Sequence, residues 1–497
     1  MTNDNIKLLY VDLFCGAGGT STGVEQATLH GQKCAHVIAC VNHDAHAIAS
    51  HKANHPGTYH FVEDIRTLKM EPLIEIVRRA RRQYPNAKLV LWASIECTNF
   101  SKAKGGQPRD ADSRTLANHL FRYIEAIDPD YIQIENVEEF MAWGEVDENG
   151  KPIDKLNGTD YVRWCNRIQS YGYSYVWHIL NAADYGAYTS RKRYFGQFAK
   201  QGLPHAFPTP TYSKDGATAD NLFGEGLHRY KAVREVLDLD DIGSSIFTRK
   251  KPLVESTLKR IYAGLVKFVA GENIRPNGCF LSKQFGGEPS GKNTSIEKPA
   301  GTVTCVDHHA LITYYGNGSA VSIDKPSPTL STHDRLAKIT FIANEYSGGG
   351  QLSSIDSISP SILTTPKQKI VNVDCFLMNP QYNSAGGSVD KPCFTLIARM
   401  DKMPPYLIQT EKGLGIKVYE TDSPMTRRIK EFMAQYCIID IKMRMLKVSE
   451  LKAIMGFPAD YILVGTQSEQ KKYIGNAVEV NQSRVLCEAL AERLSIT

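Results

Sequence analysis

At 497 residues, 42% hydrophobic and 22% charged, the chain is long enough for two or three domains with ample cores, which excludes a disordered or membrane class. Its 58 Lys+Arg against 53 Asp+Glu is a mildly basic balance that permits a nucleic-acid partner without requiring one. Eleven cysteines with no close C-x-x-C pair argue against a disulfide framework and a classical zinc site, so a reducing cytoplasm is expected, with neither export nor a membrane span.

Leu8 to Phe14 is a continuous apolar run that passes straight into Cys15-Gly16-Ala17-Gly18-Gly19, with Thr20 and Ser21 available to cap a helix. Strand, glycine turn and helix in that order let backbone amides approach a nucleotide-like ligand. A second apolar strand, Ala35 to Val41, ends in Asn42-His43-Asp44, and Asn42 or Asp44 is placed to meet a ribose hydroxyl. The helix that follows, to Asn54, carries or adjoins His43, His46, His51 and His55, but no carboxylate or thiolate completes a metal set within it, and no metal is expected. Tyr59 to Val62 reads as a strand leading to Asp64-Ile65, and Glu71 to Gln83 as a helix whose Arg78, Arg79, Arg81 and Arg82 form a solvated cationic end.

Lys88 to Trp92 is the next buried strand, and it delivers Cys97 in Ile95-Glu96-Cys97-Thr98. A thiol leaving the carboxyl end of a parallel strand enters the crevice where open α/β sheets bind ligands, so Cys97 is either a nucleophile or a small core residue. After a helix over Arg114 to Ala126, the strand Tyr131 to Ile134 brings Glu135-Asn136-Val137 to the same edge. A helix over Thr159 to Ser170 and a strand over Tyr173 to Leu180 precede Ser190-Arg191-Lys192-Arg193, whose period of two points Arg191 and Arg193 the same way. The alternation predicts an α/β fold with a doubly wound, mostly parallel sheet.

Leu203 to Gly226, rich in Pro, Gly, Thr and Asp, reads as a linker, and Thr257 to Ala270 as a helix. From there to about residue 405 the texture is short β segments, with a repeat whose prolines fall at 299, 326, 360 and 392. The tail is helical again over Met445 to Met455, stopped by Gly456-Phe457-Pro458, and over Val480 to Leu494.

Together these stretches resemble the 5-methylcytosine DNA methyltransferases, over nearly the whole chain and in the family's motif order. Asp12-Leu13-Phe14-Cys15-Gly16-Ala17-Gly18-Gly19 is similar to the cofactor turn, Asp64-Ile65 to the adenine contact, Cys97 with Phe100-Ser101 to the nucleophile loop and Glu135-Asn136-Val137 to the catalytic Glu-Asn-Val. Arg191 and Arg193 match the paired arginines, and Gly456-Phe457-Pro458 with Gly475-Asn476-Ala477-Val478 the two closing motifs. The chain departs from the family at Ile95-Glu96 and Thr98, which replace Pro-Pro and Gln, at Thr189, which replaces the glutamine of the arginine motif, and at Asn42, where the ribose-binding glutamate is usual.

The resemblance implies a Rossmann-like methyltransferase domain over 1–275, a β-rich target-recognition domain over 276–430, and a segment over 431–497 that returns to the first. It further implies S-adenosyl-L-methionine as cofactor, met by Asp12, Phe14, Gly16, Gly18, Gly19, Asn42, Asp64, Ile65, Asn476 and Val478. The catalytic set it implies is Cys97, Glu135, Arg191 and Arg193. The expected substrate is a cytosine flipped out of double-stranded DNA and methylated at carbon-5 through a covalent Cys97 adduct. A monomer is expected, with a cognate restriction nuclease as a possible companion. The alternatives are the same chemistry on RNA and a DNA-binding relative of impaired activity.

Overall fold

The computed structural model describes residues 5–95, 116–145, 147, 153–154, 156–216, 226–241, 243–268, 278–283, 288, 292–300, 302–303, 309–316, 340–344, 351–354, 368–372, 385–388, 391–395, 407–408, 418–435 and 438–496. They form two compact units: residues 1–239, 296–308 and 446–497 in the first, 240–295 and 309–445 in the second.

The first unit is built on seven strands: β1 (Leu8–Leu13), β2 (Ala35–Asn42), β3 (Tyr59–Val62), β4 (Lys88–Ser94), β5 (Tyr131–Asn136), β6 (Tyr173–Asn181) and β7 (Lys192–Lys200). Their order is β3-β2-β1-β4-β5-β7-β6, parallel except for β7, which runs against both its neighbours. The expected doubly wound, mostly parallel sheet is therefore present. Every residue of β1 and β5 is buried, as coverage of both faces of the sheet by helices requires, and the polar Asp12, Gln133, Glu135 and Asn136 are enclosed with the rest.

Helices α1 (Gly19–Gln26), α2 (Ala45–Asn54), α3 (Met70–Gln83), α4 (Leu120–Ile127) and α5 (Thr159–Gln169) connect the strands. Helix α3 buries Leu73, Ile76, Val77 and Ala80, spacings that fall on one face. Arg79 and Arg82 lie on the exposed side and pair with Glu75 at 3.2 and 3.6 Å, so this cationic end is solvated as expected.

The end of the chain returns to β1 and α1. Gly456 turns with φ +77° ahead of the final helix, whose first residues abut α1. A Cβ on Gly23 would lie 2.3 Å from the Val480 carbonyl oxygen, and one on Gly19 2.5 Å from that of Val478, so only glycine permits this approach. Behind the contact, Leu486, Leu490 and Ala491 join Leu8, Tyr10, Val24, Val90 and Trp92 in one core.

Part of the repeat region also belongs to this unit. Lys298 and Ile296 accept backbone bonds from Val233 and Arg234, and Ala300 exchanges bonds with Tyr188 and Ser190 at 2.6 and 2.8 Å. The first copy of the repeat thus runs beside the segment that leads into β7.

In the second unit, β8 (Ser244–Ser245), β9 (Gly278–Lys283), β10 (Asn293–Ser295), β11 (His309–Gly316) and β12 (Ile438–Met445) form an antiparallel sheet in the order β8-β12-β11-β9-β10. Helices α6 (Glu255–Phe268) and α7 (Pro424–Gln435) supply Leu258, Ile261, Leu265, Ile429 and Met433 to its core with Phe280, Ile312 and Ile441. The stretch from Asp240 to Phe268, which the resemblance assigns to the first domain, packs here. Two further three-stranded antiparallel sheets pair 340–344 with 351–354 and 368–372, and 391–395 with 385–388 and 407–408. The repeat copies at Pro326 and Pro360 lie outside the described residues.

Two carboxyl groups are fully enclosed in the first unit. Burial pushes Asp12, on β1, and Glu479, at the start of the last helix, each up to about 7. In the unfolded chain both ionise near pH 4, so from there up to about pH 7 the folded state holds more protons than the unfolded one. The contribution of these two carboxyls to stability therefore falls as pH rises from about 4 to 7 and levels off above it, against an opposite contribution from the buried, neutral His51 and His55. Chemical denaturation at intervals between pH 5 and 8 should show Asp12→Asn and Glu479→Gln each gaining stability relative to the parent as pH rises from about 5 to 7. At the α1 contact, Gly23→Ala should cost about 1 to 3 kcal/mol through overpacking. Gly57→Ala, whose Cβ would meet nothing closer than 3.9 Å, should be close to neutral in the same denaturation experiment.

Candidate active site

Three neighbouring strands end side by side. In the register of β4, β5 and β7, Ser94 lies opposite Glu135 and Glu135 opposite Phe195, so the polar ends of the strands line one edge of the sheet. Glu135 is 6% exposed and its Oε1 lies 3.2 Å from Nε of Arg193, which also donates to the Lys192 carbonyl at 2.7 Å. A carboxylate this enclosed needs such a partner, and the pair keeps both groups oriented. Next to it, Asn136 donates from Nδ2 to the Ile95 carbonyl at 3.2 Å and accepts from the Val137 amide at 2.8 Å. That bond ties the end of β5 to the first residue beyond β4. Cys97 and Glu96 lie outside the described residues, two and one positions further on.

Arg191 and Arg193 differ in their surroundings. Arg191 is 2% exposed and donates to the carbonyls of Val303 and Gly475, at 2.9 and 3.1 Å. Its guanidinium therefore joins three separate stretches of chain, and one of them carries Asn476 and Val478.

On the other half of the same edge lies the glycine turn. Phe14, Gly16 and Gly18 have φ of +59°, +53° and +102°, a run of left-handed residues that folds the backbone back between β1 and α1. Nothing lies within 4 Å of where a Cβ on Gly16 would stand, so the turn is open on that side. Beneath it, Asp12 accepts from the Ser21 hydroxyl at 2.8 Å through Oδ2, and among the described residues its Oδ1 has no hydrogen-bond partner. Tyr461 donates to the Ala17 carbonyl at 2.5 Å and so holds the turn from behind.

Asn42 ends β2, and its side-chain carbonyl accepts from the Asp44 amide at 2.9 Å. Asp44 caps α2 through the amides of His46 and Ala47, accepts from Tyr473 at 3.0 Å, and is held below the usual carboxylate range although burial acts against this. The structure thus leaves Asn42, rather than Asp44, as the available polar group at this strand end. Asp64 follows β3 and is chelated by Arg66 at 2.7 to 3.0 Å, which lowers its pKa. Ile65 is buried, Asn476 is exposed at the end of the helix Gln467–Asn476, and Val478 is buried against Gly19.

Of the histidines after β2, His46, His51 and His55 pair with groups on other elements. His46 meets Glu469, His55 meets Thr22, and His51 meets His60 through Nδ1 and Ser21 through Nε2, both at 2.9 Å. His51 also lies in a buried group with Cys15 and Cys40, whose donor atoms fall within 4.8 Å of one another. Both imidazole nitrogens are engaged, and burial pushes the Cys15 thiol up, so this group is arranged as a hydrogen-bonded core beneath the turn. No described helix is long and apolar enough to cross a membrane.

Sequence reasoning did not single out Tyr461, Tyr473 or Val303. Each reaches the site from a distant stretch, through a hydroxyl or a backbone carbonyl that carries no spacing signal.

The family model for C-5 cytosine-specific DNA methylases matches residues 8–243 and 374–492, well over half of the chain. Among curated proteins, the Type II methyltransferase M.XorII of Xanthomonas oryzae pv. oryzae is 29% identical over 204 residues, 40% of this chain and 43% of that one. M.AquIA of Picosynechococcus is 26% identical over 230 residues, 46% of this chain and 86% of its own. M1.HphI of Haemophilus parahaemolyticus is 26% identical over 222 residues, 44% and 52% of the two chains. The matched stretch therefore spans about half the length of the first and third relatives and most of the second. Taken with a sheet edge that gathers the glycine turn, Glu135 and Arg193, the match at both ends of the chain places this protein in the C-5 cytosine-specific DNA methylase family.

Proposed function

We propose that the protein transfers a methyl group from S-adenosylmethionine to carbon-5 of a cytosine in double-stranded DNA, with the base flipped out of the duplex and held covalently by Cys97. The observation that carries this reading is the enclosed Glu135–Arg193 pair, at 3.2 Å, on the edge that β4 shares as it leads to Cys97. The open, left-handed turn at Phe14, Gly16 and Gly18 fits a nucleoside-bearing cofactor whose approach a side chain would block. Asp12, Phe14, Gly16, Gly18 and Gly19 on one side, and Asn42, Asp64, Ile65, Asn476 and Val478 on the other, would hold it. S-adenosylmethionine, when bound, supplies an electrophilic methyl group.

Carbon-5 of cytosine is a poor nucleophile until electrons enter the ring. The Cys97 thiolate adds at carbon-6, which makes carbon-5 electron-rich. Glu135 hydrogen-bonds ring nitrogen-3 and the exocyclic amine and supplies a proton as charge builds. Arg193 holds the oxygen-2 side and the orientation of Glu135. Arg191, bound to two backbone carbonyls, positions the strand that presents Arg193. Once carbon-5 carries the methyl group, loss of its proton expels Cys97. Extruding the base costs a few kcal/mol, offset by contacts to phosphate and groove, for which we assign the second unit as the target-recognition region.

Incubation with duplex DNA containing 5-fluorocytosine and S-adenosylmethionine should give a denaturation-resistant adduct in the parent and none in Cys97→Ser. Glu135→Gln should lower the methyl-transfer rate about 10²- to 10⁴-fold, the usual range for loss of a positioned acid. A parent that binds the fluorinated duplex without forming the adduct would make the chain a binder instead. Methylation of tRNA in preference to the duplex would move the chemistry to RNA.

A further inference from the structure

The turn after β3 presents its carbonyls to two neighbouring side chains of α4. The amides of Thr67 and Leu68 close it onto the Asp64 carbonyl, both at 3.0 Å, and the Glu63 amide fastens it to the Asn42 carbonyl at 3.0 Å. Closed in this way, the turn leaves the carbonyls of Ile65, Arg66 and Leu68 directed toward α4. Arg122 takes all three: Nη1 donates to Ile65 at 3.2 Å and to Arg66, and Nη2 to Leu68 at 2.5 Å. The next residue, Tyr123, adds its hydroxyl to the Ile65 carbonyl at 2.9 Å. A planar guanidinium with several fixed donors suits such an array, whereas a lysine ammonium offers one charged point. The far side of the turn carries Asp64, oriented by Arg66.

We infer that Arg122, assisted by Tyr123, is a positioning residue that fixes the turn bearing Asp64 and Ile65 for the adenosine part of the cofactor. This inference rests on the functional reading above. It extends that reading to a residue on α4 outside the motif residues quoted from the sequence. Because the bonds that hold the turn come from α4 and not from the cofactor, they order it independently of binding, and the gain falls on affinity rather than on the methyl-transfer step. A residue that merely supported the fold would, on removal, lower melting temperature and turnover together.

The test uses the full chain. Calorimetry with S-adenosylhomocysteine should show Kd raised about tenfold in Arg122→Ala and about threefold in Arg122→Lys and Tyr123→Phe, the effect expected for lost charge-assisted bonds. Steady-state assays should show KM for S-adenosylmethionine rising in parallel and kcat within about twofold. Hydrogen exchange of the free protein, read on a peptide covering residues 63–69, should accelerate in Arg122→Ala. A folded Arg122→Ala with unchanged Kd, or with affinity and kcat lost alike, overturns the inference. If the parent does not bind S-adenosylhomocysteine, the functional reading fails by itself. The exchange measurement still decides the clamp, and unaltered protection of residues 63–69 overturns it.

Discussion

The hydrogen-bond register shared by β4, β5 and β7 is the constraint on which the site depends. It sets Ser94, Glu135 and Phe195 in one row. Side chains alternate along a strand, so a slip of one residue would turn Glu135 to the opposite face and separate it from Arg193. The burial of every residue of β5 opposes such a slip, because it would drive Ile132 and Ile134 into the space packed around Tyr131 and Gln133 and leave the Glu135 charge buried without its partner. The apolar core thus fixes the geometry of the polar edge.

Much of this was legible in the sequence, for identifiable reasons. Stretches rich in aliphatic and aromatic residues such as 8–13 and 131–134 are long enough to specify strands, and the acids near their carboxyl ends, Asp12 and Glu135, mark the functional edge. The glycines at 16 and 18 occupy positions whose φ no other residue takes easily. Less legible was the different use of two arginines two residues apart. Their spacing puts them on one face, but tertiary packing gives Arg191 backbone carbonyls and Arg193 a carboxylate. The histidines after β2 are satisfied by partners from other elements, which no spacing within α2 reveals. The association of residues 240–268 with the second unit was also hidden, because an amphipathic helix reports that one face is buried without naming what buries it.

The substitution at Asn42 gains meaning from its surroundings. Its carbonyl is engaged by the Asp44 amide, and Asp44 is in turn occupied by the cap of α2 and by Tyr473. A neutral amide therefore stands at a strand end where the family usually carries a carboxylate, and the nearest acid is already committed. Asp64 is likewise bound to Arg66, so Asp44 and Asp64 at this end of the sheet are both engaged within the chain and the Asn42 amide is left to meet a ligand.

The path of residues 296–303 bears on how this polypeptide can be recombined. These residues sit between two stretches of the second unit, yet they supply the carbonyl that Arg191 grips and the backbone that flanks Tyr188 and Ser190. A graft that exchanged everything from the first β segment onward would import a foreign strut into the catalytic frame. Splice points at 239/240 and 295/296 together with 308/309 and 445/446 would keep that strut native and exchange both stretches of the second unit as one body.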